Sequence, residues 1–218
     1  MHILAIDTAL SACGAAVFRD GRTLAERVLP MERGHQEALA PLVAEVMHTA
    51  SLGFDRLDRI AVTVGPGSFT GLRVGLAFAK AMALALDRPC VGIGTLEALA
   101  AESGGFTAAA IDARRERLYL QCFEGGAPLM APDSLPVGEA TARLAELWSG
   151  GPVRLVGPGA ALLAGVLPGA EVHPREWCDP AALARLAARR PAPTVSPRPL
   201  YLRAPDALTI EERAQAGR

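Results

Sequence analysis

The stretch "VTVGPGSFTGLRVGLAFAKAMALAL", Val62 to Leu86, decides how this chain is read. It joins a short apolar strand to a glycine-rich turn and then to an almost uninterrupted apolar helix, the order that α/β sheets use at a strand-to-helix crossover. Gly65 and Gly67 permit a tight turn out of the strand, and Ser68 or Thr70 offers a hydroxyl to cap the helix. The turn fits neither phosphate-loop template. Gly67 is followed next by Gly71, and no lysine comes before Lys80. Its free amides suit an anion, yet nothing in it demands phosphate. From Gly71 to Leu86 the only charged side chains are Arg73 and Lys80. A helix covering one face of a sheet should carry a polar outer face; this one is apolar all round and must be covered on both sides. Gly71, Gly75 and Ala79, four residues apart, form a smooth stripe along which another helix, from a second domain or from a partner, can approach closely.

Outward from this stretch, the same order of elements occurs twice. "HILAID", "CGAAVF" and "TLAERVL" read as three antiparallel strands, the last two joined by the hairpin signal Asp20-Gly21. An amphipathic helix follows from His35 to Ala50, then the strand "RIAVTV", the glycine turn and its helix, the strand "PCVGIG" and a short helix from Thr95 to Glu102. Past "ESGG" the second half repeats the pattern: strands "TAAAID" and "RLYLQCF", a weak third strand "APLM", a helix from Val137 to Trp148, the strand "VRLVG", a helix from Ala160 to Leu167, the strand "AEVHP" and a helix from Pro180 to Arg190. Both halves read βββαβαβα. The chain is thus expected to form an α/β domain over residues 1–104, a reduced copy over 105–200 and an irregular tail over 201–218, each domain a mixed five-stranded sheet flanked by helices.

At 218 residues, half apolar and 21% charged, the chain has the composition of a folded globular protein. A formal net charge of −1 gives no bulk attraction to nucleic acid or anionic lipid. Four scattered cysteines without a CxxC pair, no signal-peptide pattern and no apolar span free of charge point to reduced thiols and the cytoplasm. The four histidines form no HxxxH or HExxH pair, no GxSxG elbow occurs, and neither Ser68 nor any cysteine has a sequence-local base. No catalytic residue and no metal ligand is nominated.

Duplicated domains in this order resemble the actin, heat-shock-70 and sugar-kinase superfamily, a ribonuclease H-like architecture whose two domains face each other across a cleft. In that superfamily an Asp in the first hairpin lies near magnesium and phosphates, which the resemblance carries to Asp7 and Thr8; the plainer reading is a turn-forming Asp. Asp112 holds the matching place in the second half. Glycines usually follow it, whereas here Ala113, Arg114 and Arg115 do. Two large side chains crowd a phosphate approach, although the two arginines, with Ser68 and Thr70, remain candidate anion contacts. Gly157 and Gly159 fall where the superfamily contacts adenosine, on a weak strand-turn-helix signal.

Several motifs together, "ILAIDTA", "HQEALAPLV", "VGPGSFTGLRVGLAFAKAMALA", "IDARRERLY" and "PLYLRAPDA", resemble the TsaB (YeaZ) family nearly end to end. The resemblance implies two actin-like domains and a non-catalytic role in tRNA threonylcarbamoyladenosine synthesis, with the paralogous catalytic subunit TsaD and the ATPase TsaE as partners. It also implies a heterodimer face on the two helices of the first domain, including His35, Leu39, Leu42, Val46, Gly71, Arg73, Gly75, Leu76, Ala79 and Met82, with a homodimer through the same face when TsaD is absent. No cofactor is intrinsic on this reading. ATP or ADP belongs at the subunit interface, and tRNA is reached only through the complex. Gln36 departs from the serine usual after the histidine and leaves the capping of that helix open. The rival readings are an ATP-dependent small-molecule kinase of the same superfamily and a peptidase.

Overall fold

Period-two alternation in "HILAID" becomes strand β1 (His2–Asp7), whose side chains are buried on both faces because the strand lies at the centre of a sheet. The computed structural model describes residues 1–203. β2 (Ala12–Arg19) and β3 (Arg22–Pro30) continue as an antiparallel meander, turned at Asp20-Gly21 with both residues at positive φ. β4 (Arg59–Gly65) and β5 (Cys90–Gly94) add parallel strands, giving the order β3-β2-β1-β4-β5. Leu4 and Ile6 face α1 (His35–Thr49) and α2 (Phe69–Leu86), in a core shared with Leu39, Val46, Leu76 and Ala79.

The second sheet repeats this arrangement from β6 (Phe106–Asp112) and β7 (Arg117–Glu124), with β10 (Val153–Val156) and β11 (Glu171–His173) parallel to β6. Along the far edge of β7 lie two short strands, β8 (Ala127–Pro128) and β9 (Asp133–Pro136), so this sheet counts six strands rather than five. The expected strand "APLM" stops at Pro128, which has no N–H to give to a ladder, and the unforeseen β9 takes over the pairing. α4 (Val137–Leu147) covers the outer face, against Phe106, Ala108 and Ala110. The helix expected from Ala160 to Leu167 is a 3-10 turn, Ala160–Leu163; Gly165 at φ 80° and Pro168 stop it from continuing. The expected irregular tail falls mostly on residues 204–218, outside the described residues.

Two helices lie between the sheets. α3 (Thr95–Ala100) follows the first sheet but packs on β6 and β7, whereas α5 (Pro180–Arg189) follows the second sheet and returns to β1 and β2 of the first. A single apolar cluster therefore joins Ile3 and Ala5 of the first sheet to Ala109, Ile111, Phe123 and Val156 of the second, through Leu96, Leu99, Leu183 and Ala187. Buried Arg59 of β4 fastens the end of α5 by donating to the carbonyls of Ala187 and Arg190. Its positive charge sits where the helix dipole is negative.

α2 is long and apolar enough to cross a membrane by length and composition, with a mean hydropathy of 1.4. Here Gly71, Leu72, Gly75, Leu76, Ala79 and Ala83 are buried. Two of them are glycines because the β1–β2 turn comes too close for a side chain: a Cβ on Gly71 would stand 2.0 Å from the Thr8 carbonyl oxygen, and one on Gly75 would stand 2.3 Å from Thr8 Oγ1. Gly71→Ala is expected to destabilise the protein by about 3 kcal/mol in urea unfolding, the upper range for overpacking against backbone that cannot yield. Gly138→Ala, in the first turn of α4 with open space around it, is expected to stabilise by about 0.5 kcal/mol.

Candidate functional site

Asp7, at the end of β1, is 1% exposed and accepts hydrogen bonds from three separate places. Its Oδ1 takes the amide of Ala9 at 3.0 Å and the hydroxyl of Thr63 on β4 at 2.8 Å, and its Oδ2 takes the amide of Cys178 at 3.3 Å. Burial pushes the carboxyl above the usual carboxylate range, and the three donors pull it partly back. Thr8 is fully buried and donates its hydroxyl to the Gly71 carbonyl at 2.7 Å, pinning the first turn of α2. Asp7 and Thr8, the expected nucleotide contacts, both have their side chains hydrogen-bonded inside the protein. A hydrated magnesium ion needs a carboxylate open to solvent, and Asp7 does not fit that requirement.

Between the sheets lies a cleft of about 590 Å3, lined by the turn Ala9–Ser11, by Gly67 and Ser68, and on the other side by Asp112, Ala113, Arg114 and Tyr119. Glu32 and Glu176 complete the wall, so among the described residues three carboxylates and one guanidinium line it. Such a lining opposes a polyphosphate. Ser68 Oγ accepts from the Gly71 amide at 3.2 Å as the cap of α2, while Thr70 is exposed on its first turn. Arg114, Arg115 and Glu116 stand successively at φ 64°, 53° and 56°, and Asp112 Oδ1 anchors their turn through the Arg114 amide at 2.8 Å. Both arginines are exposed, and both line a second cavity, of about 610 Å3, at the start of α4. Gly159 is packed on β6, where a Cβ would come within 2.9 Å of the Asp112 amide; the turn suspected of meeting adenosine is filled from within.

The two helices of the first domain sort differently from the expectation. His35, Leu39, Leu42, Val46, Gly71, Gly75, Leu76 and Ala79, all nominated for the partner face, are buried in the first domain. Met82 is half-buried; Arg73 is exposed. The glycine stripe already has its occupant, the β1–β2 turn. What remains outside is a second stripe on α2, consisting of Phe69, Arg73, Ala77, Ala81 and Leu84, beside Ala40, Pro41 and Ala44 on α1. Leu84 is 85% exposed. Of this stripe sequence reasoning named Arg73 alone, because an all-apolar helix has no polar face from which to tell outside from inside.

The family model that matches, over residues 23–152, is described as TsaD: tRNA N6-adenosine threonylcarbamoyltransferase. An uncharacterized protein of Mycobacterium leprae is 38% identical over 218 residues, covering 95% of this chain and 56% of that protein. The TsaB protein of Escherichia coli, named for tRNA threonylcarbamoyladenosine biosynthesis, is 38% identical over 124 residues, covering 55% of this chain and 53% of that protein. These matches span about half the length of the two relatives. Among solved structures, YeaZ from Pseudomonas aeruginosa superposes with a TM-score of 0.75 at 28% identity, covering 86% of this chain and 90% of that one. The chain belongs to the TsaB (YeaZ) family. Its two sheets and flanking helices are the duplicated actin-like α/β fold.

The four cysteines of this TsaB-family chain are all buried. Burial pushes the thiols of Cys13 and Cys90 up to about 11 and that of Cys122 up to about 12, and holds Cys178, beside the Asp7 carboxylate, well above its ordinary value. The thiolate is therefore scarce at neutral pH, and none of the four is a ready nucleophile. Among the described residues no group of His, Cys, Asp and Glu is arranged to hold a metal. A disulfide-exchange reagent at pH 8 is expected to label none of the thiols in the native protein within minutes and all four after denaturation.

Proposed function

We propose that this protein is the non-catalytic docking subunit of tRNA threonylcarbamoyladenosine synthesis, forming a heterodimer with the transferase TsaD and providing the platform to which the ATPase TsaE is recruited. The observation that carries this reading is the exposed apolar stripe of α2 flanked by Ala40, Pro41 and Ala44 of α1. A face of that kind on a folded protein is a surface for association. The choice of partner rests on the shared family model: it matches residues 23–152, which include both helices, so TsaD has counterparts to them. Two helix pairs related by a pseudo-twofold axis bury both faces at once, and a second copy of this chain fills the same place when TsaD is absent. The internal commitment of Asp7 and the carboxylate-lined cleft argue against a kinase reaction within this chain. On this reading ATP or ADP lies at the subunit interface, tRNA meets the complex rather than this subunit alone, and the work is done in the cytoplasm.

Mixed with TsaD from its own genome, the wild-type chain is expected to elute as a heterodimer in sizing chromatography. Leu84→Asp places a charge on the most exposed side chain of the stripe, at its C-terminal end, without touching the core; it is expected to abolish the heterodimer while leaving the melting temperature unchanged. Undiminished association of this variant would remove the proposed face. Calorimetric titration of the isolated chain with Mg-ATP is expected to give no saturable binding in the micromolar range; micromolar binding followed by phosphate transfer to a small acceptor would restore the kinase reading.

A further inference from the structure

Beyond α5 the described residues stay on the molecule. Arg190 donates to the Gly92 carbonyl at 2.7 Å and pairs with Glu97, and ten residues later the Leu200 amide donates to the Val64 carbonyl at the end of β4, also at 2.7 Å. Residues 193–201 thus form a strap beside α2. Pro193, Thr194, Val195 and Ser196 line a cavity of about 290 Å3 with Lys80 and Leu84 near one end of the helix, and Tyr201 reaches Phe69 and Arg73 at the other. The sheet is shaped for this strap, since a Cβ on Gly65 would stand 2.7 Å from the Leu200 carbonyl oxygen.

At the Tyr201 end three exposed side chains form a stack. The Arg73 guanidinium carbon lies 3.7 Å from the centre of the Phe69 ring, its Nε donates to the Tyr201 hydroxyl at 3.2 Å, and the two rings are 5.3 Å apart. Among the described residues, none is hydrogen-bonded to the two terminal nitrogens of Arg73. A guanidinium held on one face by a ring and at Nε by a hydroxyl has lost its rotamer freedom in advance, while keeping the planar pair of donors that matches a carboxylate.

We propose that Arg73 is a preorganised receptor for a carboxylate on the docked protein, with Phe69 and Tyr201 as its positioning residues and the strap as the third element of the docking surface. The proposal rests on the docking face inferred above and adds to it the residue that fixes the partner's register. Aromatic and arginine side chains are the types that dominate association energies, and this stack is continuous along one helix face with Ala77, Ala81 and Leu84. A protein carboxylate is favoured over an RNA phosphate because α2 adds Lys80 and the strap adds Arg198 as exposed cations, while the adjoining α1 sets the exposed Glu37 and Glu45 against them. A polyanion requires several cations in a row.

The test measures the affinity of the full-length protein for TsaD, with Leu84→Asp as the control for docking itself. Arg73→Lys keeps the charge but loses the fork; it is expected to weaken binding on the order of 10- to 100-fold, mostly through faster dissociation. Tyr201→Phe keeps the stack but loses the hydroxyl and is expected to weaken binding roughly threefold to tenfold. Arg73→Glu should be rescued by the reversed charge, Asp or Glu to Arg, at a single site on TsaD. Binding by Arg73→Lys within about twofold of wild type, with Leu84→Asp still abolishing the complex, would overturn the Arg73 proposal and leave the docking face standing. Intact binding by Leu84→Asp would remove both. If Arg73→Gln, which removes the charge, instead spares TsaD binding and lowers affinity for tRNA with a shallower salt dependence, the receptor is for phosphate and the proposal fails.

Discussion

The buried carboxylate of Asp7 is the constraint on which the arrangement depends. It gathers a donor from its own turn, one from β4 and one from the segment that leads into α5, so one side chain joins elements separated by 171 residues in sequence. A buried charge is costly unless every lone pair finds a donor, and removing one donor strands it. Thr8, the next residue, clamps α2 through Gly71, and the glycines of that helix are the consequence of how close the clamp brings it. Asp7 and Thr8 form the knot holding the first sheet, α2 and α5 together.

This internal use decides where the molecule can act. The cleft is lined by Glu32, Asp112 and Glu176, and the turn after Asp112 carries arginines in left-handed backbone. The outer face of α1 and α2, by contrast, leaves Ala40, Pro41, Ala44, Ala77, Ala81 and Leu84 exposed, with Tyr201 packed on Phe69 at one end. Folding fixes this face firmly: its backs are the core residues Leu39, Val46, Leu76 and Ala79, so the surface is rigid before any partner arrives.

Much of the architecture was legible because it rests on local signals. Asp20-Gly21 announced the hairpin, alternation announced β1, and the glycine turn before an apolar run announced α2. The second half was less legible where its elements are short: β9 has four residues, and Gly165 and Pro168 stop a helix whose apolar spacing looks sufficient. Nothing in the order of elements says that α5 crosses back to the first sheet, since that depends on which apolar surface is left open. The site was harder still. Gly71, Gly75 and Ala79 were legible as a smooth stripe, but smoothness does not say whether the approaching partner is another chain or this chain's own turn. Arg73 and Tyr201 lie 128 residues apart, a separation that no motif spans.

Hydroxyl-radical footprinting of side chains, with and without TsaD, tests most directly whether the helix face rather than the cleft is the working surface. Phe69, Leu84 and Tyr201 are all solvent-exposed, and Tyr119 reports on the cleft. The account predicts that TsaD protects Phe69, Leu84 and Tyr201 from oxidation and leaves Tyr119 unchanged. Protection of Tyr119 with continued oxidation of the three helix-face side chains would contradict it.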